Sequence, residues 1–164
     1  RTKKNMGHIR RSIGYLFSQI DYQFIMPDLL NDVMISIPGE GTGEERAAEA
    51  RRWLARFGLQ DYENASPLEL SSGEMKKAAL AGVLARDPDL LILDEPLNTI
   101  DRRAGMELMT ILRGLPQTMI MATHRLLPVR ELATHIAVME KGEITGYFTA
   151  SEGLERDDVL DLLM

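Results

Sequence analysis

The run LLILDEP, Leu90–Pro96, carries four bulky apolar residues straight into two adjacent carboxylates, Asp94 and Glu95, and then a proline. An apolar strand that ends this way fixes its acids at a sheet edge, where burial and mutual repulsion tune their proton affinity. One carboxylate there can hold Mg²⁺ and the next can polarise an attacking water. The plain alternative is a strand-ending turn with two solvated acids. Upstream, LSSGE (Leu70–Glu74) opens a helix. Ser71 at the N-cap would aim its hydroxyl and the N–H groups of Ser72 and Gly73 at an anion, helped by the helix dipole. The same residues also read as a capping box, with Ser71 as N-cap and Glu74 three positions on. Downstream, the apolar run MIMAT (Met119–Thr123) ends at His124, a second titratable group at a strand end.

The elements that must position these groups follow from periodicity. Ser12–Phe17 reads as a short strand, and a short helix is expected near Pro27–Met34. Pro38–Glu45 is a glycine-rich turn. A helix starts near Glu44, with Ala47, Ala50, Trp53, Leu54 and Phe57 at helical spacing and Gly58 as its stop. The helix after LSSGE carries Met75, Ala78, Ala79, Gly82 and Val83 on one face. LLIL, MIMAT, HIAVM (His135–Met139) and EITGYF (Glu143–Phe148) read as strands, with helices over RRAGMELMTILRG and LLPVRELA between them. Such alternation of apolar strands and helices indicates an α/β fold with a parallel sheet, whose ligands sit off the carboxyl ends of its strands. The basic segment Arg1–Arg11 reads as irregular, and the acidic tail from Glu152 to Asp161 as a final amphipathic helix.

The ordered series LSSGE, LLILDE, LNTID (Leu97–Asp101) and ATH (Ala122–His124) resembles the ATP-binding cassette (ABC) ATPases in their signature, Walker B, D-loop and switch-histidine motifs. The resemblance runs from about Ser12 to Gly146. It implies a P-loop NTPase (RecA-like) parallel sheet with helices on both faces plus the ABC α-helical subdomain. On that reading 1–164 is a single partial ATPase domain. Residues 19–86 form the helical signature subdomain, 12–18 and 87–150 the α/β core, and 151–164 a C-terminal tail. The resemblance implies ATP and Mg²⁺ as cofactors. Asp94 would serve the metal, Glu95 would orient or deprotonate the water, and His124 would bond the γ-phosphate. Ser71, Ser72, Gly73 and Glu74 would meet the ATP held by a second ABC ATPase subunit, and Asp101 would line that dimer interface.

The chain also departs from the family. Ser72 stands where the signature has Gly, and Glu74 where it has Gln. The Q-loop glutamine falls on Ser18 by ungapped alignment, or on Gln19 after a one-residue slip. No GxxxxGK[ST] phosphate loop occurs in the sequence, whose glycine-rich PGEGTGEE is acidic and follows no strand. The expectation is therefore a chain that lacks the N-terminal part of the domain and is inactive alone. IDYQFIMPDLLNDVMIS resembles the corresponding segment of cobalt and energy-coupling-factor importer ATPases. That implies hydrolysis coupled to import of a small solute such as a metal ion or vitamin. A transmembrane subunit would then dock around Gln19–Ile37, with the ATPase peripheral on the cytoplasmic face. The alternatives are a catalytically incomplete half-cassette and a soluble ABC protein acting without a transporter.

Bulk properties bound these readings. At 164 residues the chain can bury a real core. Zero cysteines exclude a disulfide framework and any thiolate metal site. A net charge of −6 counts against nucleic acid as the main partner. The longest apolar run, AALAGVLA (Ala78–Ala85), falls well short of the roughly 18 residues a spanning helix needs, and RTKKNMGHIRR is followed by no signal-peptide pattern.

Overall fold

The computed structural model describes residues 3–39 and 41–163; Arg1 and Thr2 of the basic segment, Glu40 of the glycine-rich turn and the terminal Met164 lie outside them. The chain opens with helix α1 (Lys3–Ser12), which runs directly into strand β1 (Ile13–Leu16). The irregular segment expected at Arg1–Arg11 is thus corrected to a helix over its described residues, from Lys3 on. Arg10 and Arg11 in its last turn suit the negative end of the dipole, and the Arg86 side chain donates to the Arg10 carbonyl, one of the orphan acceptors of a helix end. Polarity alone gave no sign of this long-range cap.

Three helices then follow before the next strand: α2 (Leu29–Ser36), α3 (Gly43–Arg56) and α4 (Ser72–Leu84). Each has a chemical start signal. Asp28 caps α2 through the Asn31 N–H, and Thr42 with Glu45 forms a capping box on α3. Gly58, at φ +70°, turns the chain out of α3, a conformation that costs glycine nothing. The second half of α4 is buried on every side, Ala78 through Leu84 all being buried. It packs on α2, α3, β1 and α5. A helix apolar all round belongs inside a core, and Leu80 and Ala81 at 0% exposure sit at its centre.

Strand β2 (Leu90–Asp94) lies between β1 and β3 (Thr118–Ala122), all parallel, with Leu16 opposite Leu93 and Asp94 opposite Ala122. One face of this sheet presents Leu16, Leu91, Leu93, Met119 and Met121 to the core. The registered row Tyr15–Ile92–Ile120 points the other way, with Ile120 57% exposed. Helix α5 (Arg102–Arg113) connects β2 to β3, and α6 (Leu126–Leu132) follows β3.

The parallel sheet expected from strand–helix alternation is present as β1–β2–β3. The last two strands, β4 (His135–Glu140) and β5 (Glu143–Thr149), instead pair antiparallel with each other. Lys141 and Gly142, both at positive φ, form the two-residue turn between them, the backbone that tight hairpins require. The acidic tail forms two single-turn helices, α7 (Ala150–Gly153) and α8 (Asp157–Leu160), rather than one amphipathic helix.

Candidate functional site

Because β1, β2 and β3 are parallel, their carboxyl ends share one edge of the sheet. Three groups of interest therefore meet there by topology: the residues after Leu16, the Asp94–Glu95 pair, and the segment after Ala122. His124 Nδ1 lies 2.7 Å from Glu95 Oε1. The Glu95 N–H donates to the Ala122 carbonyl at 2.9 Å, extending the strand register into the site. Glu95 Oε2 is buried and has no hydrogen-bond partner among the described residues, so this acceptor is unspent while its twin holds the imidazole. Ser18, half-buried, and Gln19, exposed, follow β1 at the same edge. The side chain anchored there is Gln23, which accepts from the Phe17 N–H and donates to the Tyr15 carbonyl.

At the start of α4 both readings of LSSGE have physical content. The Glu74 carboxylate accepts from the Ser71 hydroxyl at 2.6 Å and the Ser71 N–H at 2.9 Å, and the Glu74 N–H donates back to Ser71 Oγ at 3.4 Å. The Ser71 hydroxyl first, and its amide second, hold the Glu74 carboxyl below its ordinary pKa. Side-chain hydrogen bonding with Glu74 first, and that carboxylate's charge second, raise the Tyr62 phenol. Gly73 is buried, and a Cβ built there would meet the Ala104 Cβ at 2.5 Å. Its glycine is thus required by the close approach of α5. Ser72 is half-buried beside it. Asp101 caps α5, its Oδ1 accepting from the N–H groups of Arg103 at 2.7 Å and Ala104 at 3.0 Å. The Ala104 and Arg103 amides, in that order, lower its pKa.

Two cations that the motif reading passed over tie these parts together. Lys76 is fully buried, and its Nζ donates to the carbonyls of Glu95 at 3.0 Å and Asn98 at 2.7 Å. Burial is the main cause that lowers its pKa to about 8; Arg125 adds to that, while Glu95 and Asp94 oppose it. Arg125, next to His124, donates from Nη1 to the Leu97 carbonyl at 2.5 Å. The available signal for Lys76 was a cation shortly before the small and apolar run Ala78–Leu84 of α4. An ammonium on a buried helix needs acceptors from elsewhere.

No group of three or more His, Cys, Asp or Glu side chains able to cage a metal occurs among the described residues. Mg²⁺ rarely needs such a cage, being held by one or two carboxylates with substrate phosphates completing its shell. The half-buried Asp94 carboxylate at the strand tip fits that arrangement.

Comparison with known proteins adds the following. A family model described as "ABC transporter" matches residues 1–98. A putative ABC transporter ATP-binding protein of Streptomyces avermitilis is 36% identical over 98% of this chain and 63% of its own length. The energy-coupling factor transporter ATP-binding protein EcfA of Methanoculleus marisnigri is 32% identical over 97% of this chain and 59% of its own length. The chain thus spans about six-tenths of the length of these curated relatives. Among solved structures, cbiO1 from Clostridium perfringens, part of the ABC transporter complex cbiONQ, superposes with a TM-score of 0.80 at 27% identity. That match covers 98% of this chain and 66% of the other. The dimeric post-hydrolysis state of the cassette MJ0796, bound to ADP and Pi, gives 0.78 at 26% identity, over 92% and 68%.

Proposed function

The chain belongs to the ABC transporter family, and from that premise we propose that it supplies one half of a composite ATP-hydrolysing site in a transporter. The observation that carries this reading is the Glu95–His124 pair, seated at parallel strand ends with one carboxylate oxygen unspent. In the proposed mechanism the Glu95 carboxylate accepts the proton of the attacking water, or orients that water. His124 Nδ1 is engaged by Glu95, so the imidazole presents its other edge to the γ-phosphate. Asp94 would hold the Mg²⁺ that accompanies ATP, which when bound neutralises charge on the phosphate oxygens. Ser71, with the amides of Ser72 and Gly73, would face the phosphates of ATP carried by a second ATPase subunit, Asp101 lying at the same interface. Ser18 or Gln19 would report the state of the site towards the transporter.

No GxxxxGK[ST] occurs among the 164 residues, so on this reading the composite site would take its phosphate-cradling loop from elsewhere. That same observation favours a second reading, a half-cassette that lends LSSGE to a partner's ATP and binds none itself. We read 19–86 as the helical signature subdomain and the segment around Gln19–Ile37 as the part of it that receives a transmembrane subunit; Tyr22 and Ile25, 80% and 78% exposed, support such docking. The likeness to energy-coupling factor ATP-binding proteins supports import of a small solute, a metal ion or a vitamin.

The decisive experiment is Glu95→Gln in the assembled ATPase. ATP binding should persist while hydrolysis falls by about 10²-fold or more; unchanged turnover would show that Glu95 does not act on the water. On the 164 residues alone, calorimetry should detect no micromolar ATP binding, and finding it would remove the need for an external phosphate loop.

A further inference from the structure

The turn after β2 is strained and is held from two sides. Glu95 and Thr99 both have positive φ, 45° and 62°. Residues with side chains stay in such conformations only where their surroundings over-determine them. Here the surroundings are cations bonded to backbone carbonyls. Lys76, from α4, donates to Glu95 and Asn98, and Arg125, from the segment after β3, donates to Leu97. The Asn98 N–H also donates to the Glu95 carbonyl at 3.0 Å. That carbonyl therefore receives both the turn's own bond and the lysine. Packing does not account for a lysine at this position, since burying an ammonium costs far more than burying a methionine of similar length. The two carbonyls do account for it, because they return to the ammonium part of the hydration it loses.

We propose that Lys76 is a positioning residue for Glu95: by gripping the Glu95 and Asn98 carbonyls it sets the carboxylate against His124 and links that setting to the start of α4. Lys76 is the fifth residue of the helix that Ser71 caps, one turn in from its start. A ligand that draws the N-terminus of α4 towards itself therefore pulls on the peptide that carries Glu95. Arg125 does the same from the His124 side, so the turn is where the two segments sense each other. This inference rests on the hydrolytic role proposed for Glu95.

The test uses the assembled ATPase containing this chain, with Lys76→Met, Lys76→Gln and Glu95→Gln compared. Misplacing a catalytic group by about 1 Å costs on the order of 10²-fold. Lys76→Met should therefore lower kcat by about 10- to 100-fold while KM for ATP changes by less than about threefold. Lys76→Gln, which keeps a neutral two-proton donor, should recover part of that loss. In hydrogen exchange on the chain itself, Lys76→Met should speed exchange at the Glu95 and Asn98 amides and leave Leu91–Leu93 unchanged. Should Lys76→Met fail to fold, Lys76→Gln carries both measurements, with smaller changes of the same kind. Wild-type kcat in the lysine variants, in a preparation that Glu95→Gln silences, overturns the proposal and leaves the role of Glu95 standing. So does exchange that rises throughout the core instead of at the turn. If Glu95→Gln itself turns over at the wild-type rate, the reading of Glu95 fails and the clamp has no catalytic purpose.

Discussion

Glu74 places its carboxylate on the Ser71 amide and on the Ser71 hydroxyl, a donor that the proposed function gives to a phosphate. The internal bond stabilises the chain and competes with a ligand for that hydroxyl. Its stability component has a defined pH sense. The folded pKa of Glu74 lies below the ordinary 4.5 because of the Ser71 hydroxyl and amide. The unfolded state therefore binds the proton first as pH falls. The contribution is complete above about pH 4.5 and is lost as pH drops through the lower folded value. Urea denaturation of wild type and Glu74→Gln should show a difference near neutrality that shrinks as pH falls below the ordinary 4.5; a gap independent of pH would mean the carboxylate charge is not involved. Ser71→Ala should cost about 1 kcal/mol, as loss of an N-cap does.

At the scale of elements, α4 carries the most consequence, because it forms the centre of the core and its first turn faces the site. Its approach to α5 is set by Gly73 against Ala104. Gly73→Ala should destabilise by about 1–3 kcal/mol through overpacking. Adding Ala104→Gly should return much of that loss in the same denaturation assay; no recovery would mean the strain lies elsewhere. Leu80, at 0% exposure, is the interior test. Leu80→Ala should cost about 2–5 kcal/mol, read as a lowered urea midpoint with the slope retained.

For the molecule as a whole, the exposed row on the second face of the sheet is an apolar surface open to association. Tyr15 and Ile120 are 38% and 57% exposed on registered strands, and β3 has β2 on one side only among the described residues. A parallel edge with apolar side chains invites pairing with another chain. Light scattering of the 164 residues should show association that rises with concentration and is reduced by Ile120→Lys, a charge of the kind natural edge strands use. Association insensitive to that substitution would assign it to another surface.

Much of the architecture is written locally. Capping boxes span three residues, so Ser71 with Glu74 could be read directly, as could the apolar run of β2 ending at Asp94 and Glu95. The stop at Gly58 needed only one residue's backbone freedom. The antiparallel β4–β5 hairpin was missed because its signal was the positive-φ turn at Lys141–Gly142 and not apolar periodicity. Helix α1 was missed because its polar composition hides a cap supplied by Arg86. By itself the sequence determined the α/β class, the order of the motifs and the residue types at each strand tip, since these depend on neighbours a few positions apart. Only the tertiary structure decided that His124 meets Glu95 and that Lys76 and Arg125 hold the turn between them. Those contacts join residues far apart in the chain, and strand register and the seating of α4 against the sheet bring them together.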